Sequence, residues 1–225
     1  MRILFTSHEP LDGPVSGCFV ESAARGLASI GHQVRILAVD DEPAEEPEPS
    51  VRRIVCHASD RRAPFPHAMP TFHPNGRSTS FAALSDRQLS DYRDLLRAEF
   101  DRELDLYDPC IVHVQHVWLF GHLALEAGVP YVLSAHSHEF EVAKTDARFR
   151  RYMQETAENA CRILTHGTAA SQVAELVGEL EGRVVPFALP PAETLSKQRW
   201  WESLPAMYQA SLVERFGKLP EGCDR

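Results

Sequence analysis

Short apolar runs alternate with longer amphipathic stretches along almost the whole chain, and this alternation limits the folds that it can adopt. Seven short runs bounded by turn-forming residues read as strands, at residues 3–5, 34–39, 51–56, 110–115, 129–135, 163–165 and 183–186. Helical patterns fill most of the intervals, at 19–30, 81–106, 117–127, 139–160 and 168–178. Strands that alternate with helices predict one doubly wound parallel sheet of the α/β class.

One more amphipathic helix is predicted near the end of the chain, from about Ser196 to Phe216. Its apolar face repeats at helical spacing, at Trp201, Leu204, Tyr208 and Leu212. Trp200 and Trp201 are adjacent and should not remain in water, so we expect the helix to pack on the domain or on a partner. The sequence therefore predicts a domain at 1–190 and a helical tail at 191–225 that packs back on it.

Composition and charge exclude several classes of protein. Asp and Glu total 32 against 23 Lys and Arg, a net charge of −9, whereas a protein that coats nucleic acid needs a basic face. No run approaches the roughly 18 apolar residues of a transmembrane helix. The first six residues enter a strand at once rather than forming a leader peptide. The five cysteines are scattered without a CxxC pair, so we expect reduced thiols and a cytoplasmic location.

Two segments fit neither strand nor helix. Residues 40–50 are acidic and rich in proline, which predicts an exposed loop. Residues 58–78 contain four prolines and one glycine and read as an irregular surface excursion.

The first candidate binding segment lies between the first strand and the first helix, from His8 to Gly17. Ligands of α/β sheets bind beyond the carboxyl ends of the strands. Gly13, Ser16 and Gly17 would let the backbone approach an anion at the N-terminus of the following helix. An ordinary Gly/Pro turn explains the same residues, because GPVSG is neither GxGxxG nor a Walker loop.

The second candidate segment follows the strand at 110–115. His116 and Trp118 stand where side chains leave the core, so they could bond or stack on a ligand ring. The alternative is structural: Trp118 would complete the core, and His113 would be a buried histidine with its hydrogen bonds satisfied.

The third candidate segment, His136 to Phe140, follows the next strand. A neutral imidazole at His136 could bond a hydroxyl or phosphate or accept a proton, with Glu139 orienting it and Ser137 and His138 beside it. The alternative is an exposed loop without a ligand.

Four histidines in these segments also raise the question of a metal site. His113, His116, His136 and His138 form two pairs on neighbouring strand ends. No HExxH motif accompanies them, and strand alternation sends His113 and His116 in different directions. We therefore expect no metal site.

In their order and spacing, several segments of the sequence resemble parts of the N-terminal domain of retaining GT-B glycosyltransferases of the family 4 type. The matching pieces include MRILFTSHEP, FVESAARGLASIGHQVRIL, DPCIVHVQHVWLFGHLALEAGVPYVLSAHSHEF and RVVPFALP. The resemblance covers about residues 1–190, with 40–107 poorly matched. It implies a Rossmann-like domain, one half of a GT-B fold, that binds a sugar or small-molecule acceptor.

The resemblance also implies roles for individual residues. His136 corresponds to the histidine that approaches the transferred sugar, and Gly17 to the loop glycine near the donor phosphates. Two adjacent glycines are usual in that loop, whereas Ser16 precedes Gly17 here. His116, Trp118, Ser137, His138 and Glu139 complete the expected substrate-binding set.

The sequence departs from the family after residue 190. A second Rossmann-like domain that binds the nucleotide-sugar should follow, but 225 − 190 leaves 35 residues, too few for a domain with its own core. The tail resembles the Trp-containing helix with which such chains return to their first domain. The resemblance thus implies a hexosyltransferase that needs a second, donor-binding subunit, with a nucleotide-sugar as co-substrate and no cofactor.

Two other functions stay open at this point. One is a non-catalytic domain that binds a sugar or nucleotide or regulates a complete enzyme. The other is a histidine-dependent metal hydrolase. The sequence names neither the acceptor, the sugar nor the nucleotide.

Overall fold

A seven-stranded parallel sheet forms the centre of the protein. The computed structural model describes residues 1–11, 16–40, 51–55, 68–69, 79–187 and 199–223. The sheet order is β3-β2-β1-β6-β7-β8-β9, and β4 and β5 form a separate parallel pair. The strands are β1 (Arg2–Ser7), β2 (Gln33–Asp40), β3 (Val51–Val55), β4 (Ala68–Met69), β5 (Thr79–Ser80), β6 (Ile111–Gln115), β7 (Tyr131–Ala135), β8 (Arg162–Thr165) and β9 (Val184–Pro186). The predicted doubly wound parallel sheet is confirmed.

Seven α-helices lie in the described part of the chain, and short 3-10 turns occupy Phe81–Ala83 and Trp200–Ser203. The helices are α1 (Ser16–Ser29), α2 (Asp86–Tyr107), α3 (Phe120–Ala127), α4 (Ser137–Thr145), α5 (Ala147–Asn159), α6 (Ala169–Val177) and α7 (Leu204–Phe216). None of these helices combines the length and the apolar character that a membrane span requires.

Side-chain caps explain where the helices differ from prediction. The single helix predicted at 139–160 is two helices, because Asp146 is extended and its carboxylate accepts a 2.9 Å hydrogen bond from the Arg148 amide. The helix predicted from 81 begins at 86, where Ser85 and Gln88 form a capping box. Capping bonds of this kind override the apolar periodicity on which the predictions rested.

Alternating strand residues build one apolar core on each face of the sheet. Leu4, Val112 and Leu133 face α2, α3 and α5 on one side. Ile3, Phe5 and Val132 face α1 and α7 on the other side. Helices therefore cover both faces, as a parallel sheet requires.

The C-terminal helix packs against the sheet and α1. Trp201, Leu204, Tyr208 and Leu212 are all buried, and they are the residues that helical spacing had grouped on one face. A Cβ atom at Gly26 in α1 would overlap the indole of Trp201. The boundary predicted at residues 190 and 191 lies outside the described residues, as do the acidic loop at 41–50 and most of the 58–78 excursion.

A disulfide bond fastens the end of the tail to the start of β6. Cys110 and Cys223 are bonded, with their Cα atoms 5.8 Å apart. The expectation that all cysteines are reduced is therefore wrong for this pair. The partners are 113 residues apart in sequence, so their spacing carried no signal, and only the return of the tail brings them together.

Candidate functional site

A row of four histidines lies along the carboxyl edge of the sheet. The strand order reverses between β1 and β6, which is the point where doubly wound sheets open a binding crevice. His8, His116, His136 and His166 follow β1, β6, β7 and β8 in turn. Their ring centroids are separated by 4.5 Å, 4.9 Å and 5.3 Å in that order. We call these four residues the histidine row.

His136 is held in a fixed orientation in the histidine row. It stands between β7 and α4, is 9% exposed, and its Nε2 accepts a 2.6 Å hydrogen bond from the side-chain amide of Gln115. Burial, and then the neighbouring His166 and His138, hold its pKa well below the ordinary value. The imidazole is therefore neutral at physiological pH and suited to hydrogen bonding with a hydroxyl.

Glu139 fastens the two loops that carry the central histidines. Its carboxylate accepts a 2.8 Å bond from the His136 amide and a 2.6 Å bond from the Val117 amide. Burial raises the pKa of Glu139 to about 8, although both backbone amides act in the opposite direction. Glu139 thus positions the backbone of His136, whereas the sequence had suggested that it orients the ring.

Glu9 and His116 form a buried polar contact at the ends of β1 and β6. Oε1 of Glu9 lies 3.4 Å from Nε2 of His116 and 3.8 Å from Nε2 of His138. His116 is fully buried, with a φ of 78°, a region that residues other than glycine seldom adopt. Burial raises the pKa of Glu9 to about 7.

The loop before α1 shows why a glycine stands at position 17. A Cβ atom there would lie 2.6 Å from the carbonyl oxygen of Pro10 and would also overlap that of Leu11. The glycine is therefore needed by the packing of the loop on itself. Ser16 begins α1, while Gly13 lies in the part of this loop that is not described.

The remaining predicted residues divide between the core and the surface. Trp118 is 1% exposed and packs edge-on against Phe81 and Phe149, with ring centroids at 3.8 Å and 4.2 Å. In this conformation its indole offers no face to a ligand. Ser137 is exposed at the first turn of α4, beside the crevice. His113 is a core residue bonded to Tyr208 and Ser134, which is the structural alternative given for it.

The crevice thus brings together His116, His136, His138 and Glu139 and adds Glu9, which sequence reasoning did not select. A signal for Glu9 was present. The tripeptide Ser-His-Glu occurs twice, at residues 7–9, where Ser7 ends β1, and at residues 137–139, where Ser137 begins α4 after β7. The repeated triplet places a histidine and a glutamate beyond the carboxyl ends of both β1 and β7, which would have pointed to one shared site.

Comparison with protein families identifies the class of protein that this fold and crevice define. The family model described as Glycosyltransferase Family 4 matches residues 18–186. That match spans most of the chain, so the chain belongs to Glycosyltransferase Family 4.

Solved structures with the same fold include glycosyltransferases and an epimerase. Sucrose-phosphate synthase (tll1590) from Thermosynechococcus elongatus superposes with a TM-score of 0.57 at 15% identity, over 83% of this chain and 48% of the synthase. A shorter chain of that synthase, designated 27_220_406_426, superposes with a TM-score of 0.56 at 14% identity, over 96% of this chain and 98% of its own length. UDP-GlcNAc 2-epimerase from Methanocaldococcus jannaschii superposes with a TM-score of 0.52 at 10% identity, over 95% of this chain and 53% of the epimerase.

These likenesses place the chain as a Rossmann-like half of a GT-B fold. The chain spans about half the length of the full synthase. A comparison with curated proteins found no match.

Proposed function

We propose that this chain is the acceptor-binding half of a retaining, nucleotide-sugar-dependent hexosyltransferase. A donor-binding domain, on a second subunit or elsewhere in a longer protein, would complete the active site. The observation that carries the proposal is His136, a neutral imidazole that is held by Gln115 at the carboxyl end of β7 and is 9% exposed. Membership of Glycosyltransferase Family 4 and the half-length match to the synthase support it.

In the proposed reaction, an acceptor hydroxyl oxygen bonds to the anomeric carbon of the donor sugar while the bond from that carbon to the diphosphate breaks. The hydroxyl proton ends on the departing diphosphate. Such a transfer depends on positioning and on stabilising the charge of the leaving group. His136 would hold a hydroxyl of the sugar or the acceptor, and His116 and His138 would line the same crevice.

The N-terminus of α1 would contribute to the donor side. The helix has 14 residues, so its first amides at Ser16 and Gly17 favour an anion such as a diphosphate. The basic residues that neutralise most of the diphosphate charge would come from the donor-binding domain. The described neighbours of the histidine row include two carboxyl groups: that of Glu9 lies 3.4 Å from His116, and that of Glu139 accepts a hydrogen bond from the His136 amide.

Reconstitution tests the proposal. The purified chain serves as bait for a partner that carries a nucleotide-sugar-binding Rossmann-like domain; if the chain is part of a longer protein, that protein is used directly. We expect sugar transfer from a nucleotide-sugar only when both halves are present. A His136→Ala variant should lower the rate of the reconstituted pair by about 10²-fold or more, because one positioning contact at the reacting sugar is lost.

The matched control is His32→Ala, which removes a histidine at the opposite end of the sheet. Its reconstituted rate should equal that of the natural chain. Unchanged transfer by the His136→Ala pair would remove His136 from the site. Sugar binding without transfer in any reconstituted mixture would contradict the enzymatic proposal and favour a non-catalytic binding domain.

A further inference from the structure

Within the described residues, Glu9, His116 and His138 form a group whose ligand atoms all lie within 4.8 Å of one another. Glu9 follows β1, His116 follows β6, and His138 stands in the first turn of α4. The three residues are therefore fixed by three separate elements at the reversal point of the sheet. Two of them, Glu9 and His116, are buried, and the side chain of His138 is 37% exposed.

His116 gives the strongest indication that a ligand belongs here. Its ring is fully buried, and neither ring nitrogen has a hydrogen-bond partner. Buried polar atoms are almost always bonded, and an exception commonly marks a water or an ion. The Nε2 atom of His116 is also the atom that faces Oε1 of Glu9, at 3.4 Å.

Although the sequence patterns predicted no metal site, we propose that Glu9, His116 and His138 bind one divalent transition-metal cation, such as Zn²⁺ or Co²⁺. Two imidazole nitrogens and one carboxylate oxygen form a ligand set that suits these ions, while Mg²⁺ and Ca²⁺ prefer oxygen donors alone. The inference does not rest on the proposed glycosyl transfer, since it concerns only the binding of the ion.

The distances are close to those of a metal site. Ligand atoms about 2.1 Å from a tetrahedral Zn²⁺ lie about 3.4 Å from one another. The separation of Glu9 from His116 equals this value, and that of Glu9 from His138, at 3.8 Å, exceeds it slightly. His138 is the partly exposed member of the three, so its side chain has room to turn towards the other two ligands, which lie within 4.8 Å of it. A water molecule would fill the fourth position.

The backbone supports the same assignment. Ser7 Oγ accepts a 3.1 Å bond from the Glu9 amide and donates a 2.9 Å bond to the Glu9 carbonyl, which fixes the turn that carries this carboxylate. His116 adopts a positive φ, and unfavourable backbone conformations of this kind persist mainly at binding and catalytic sites.

Metal titration of the full chain, prepared without a polyhistidine tag and stripped with a chelator, tests the proposal. We expect calorimetry to give one Zn²⁺ per chain, and Co²⁺ to produce the visible absorption of a tetrahedral site. His138→Gln and Glu9→Gln should each weaken binding by more than about tenfold. Circular dichroism of each variant distinguishes the loss of a metal ligand from the loss of the fold. Because His138 is more exposed than Glu9, His138→Gln should disturb folding less than Glu9→Gln.

The matched control is His122→Gln. His122 also lies next to two glutamates, at 3.6 Å from Glu126 and 3.1 Å from Glu155, but it belongs to a different surface. Binding should be unchanged in this variant. Absence of stoichiometric Zn²⁺ binding to the natural chain, or equal affinity in the natural chain and folded His138→Gln, would overturn the assignment. Because the readout is the metal alone, the result is independent of any test of sugar transfer.

Discussion

The hydroxyl of Tyr208 lies 2.6 Å from Nδ1 of His113, inside the core that joins the C-terminal helix to the sheet. The other ring nitrogen of His113 lies 2.8 Å from the hydroxyl of Ser134. All three side chains are fully buried. The tail is thus bound to the central strand β6 by a satisfied polar contact as well as by apolar packing.

Removing the hydroxyl of Tyr208 should destabilise the protein. Tyr208→Phe leaves a buried ring nitrogen without its partner, which costs about 1–3 kcal/mol. Denaturant titration measures this loss of unfolding free energy. Tyr152→Phe, on the partly exposed side of α5, is the control and should stay within about 0.5 kcal/mol of the natural chain. Equal stabilities of the two variants would show that the contact does not hold the tail.

Gly26→Ala tests the packing of Trp201 on α1. Helix propensity alone would make alanine more stable than glycine by about 1 kcal/mol. The added methyl group would overlap the buried indole of Trp201, however, so we expect a net loss of stability and a red-shifted tryptophan emission. In a Trp201→Ala background the same substitution should become neutral or stabilising. A stabilising effect in the natural background would contradict the observed packing.

The sheet could be predicted from the sequence because each strand is a short apolar run between turn residues, which is a local property. Placing His116, His136 and His138 at one edge followed from the rule for parallel strands. The break at Asp146 could not be predicted in the same way, and the local pattern left Trp118 open between a place in the core and contact with a ligand. The break depends on one capping bond, and the burial of Trp118 on contacts with Phe81 and Phe149 from distant parts of the chain.

The contribution of Glu9 was harder to predict than that of the histidines, because a carboxylate after a strand is usually solvated and only the repeated Ser-His-Glu triplet indicated it. Glu9 is nevertheless buried, and His138 from the first turn of α4 lies 3.8 Å from its carboxylate. Local patterns thus located the crevice, and tertiary packing decided which side chains face it. The Cys110–Cys223 bond has the same origin, since it depends on where the tail returns.

His113 should make the protein less stable in mild acid. Burial lowers its pKa to about 3, against about 6.5 in the unfolded chain. Between these values only the unfolded state binds the proton, so stability falls as the pH decreases below about 6.5. The loss from this residue is about 1.4 kcal/mol at pH 5.5 and about 2.7 kcal/mol at pH 4.5.

Unfolding titrations of the natural chain and His113→Gln across this pH range isolate the effect. The other histidines titrate in both proteins, so their contribution cancels in the difference. The variant should be less stable than the natural chain at pH 7.5, because its packing is disturbed. The difference in unfolding free energy between the two proteins should be smaller by about 1.4 kcal/mol at pH 5.5. Parallel pH profiles would mean that His113 takes up its proton without unfolding.

The Cys110–Cys223 bond should stabilise the fold by restricting the unfolded chain. It closes a loop between residues 113 positions apart, for which the chain-entropy model gives up to about 5 kcal/mol. Cys223→Ser, or reduction of the natural protein, should therefore lower the unfolding free energy by a large part of this amount. The apolar packing of α7 on the sheet does not depend on the bond, so the reduced protein should still fold, with a more mobile C-terminus. Peptide mapping without reductant identifies the link, and Cys18→Ser, a half-buried thiol of α1, serves as the control. Insensitivity of the natural protein to reductant, with no linked peptide, would show that the two thiols are adjacent without bonding.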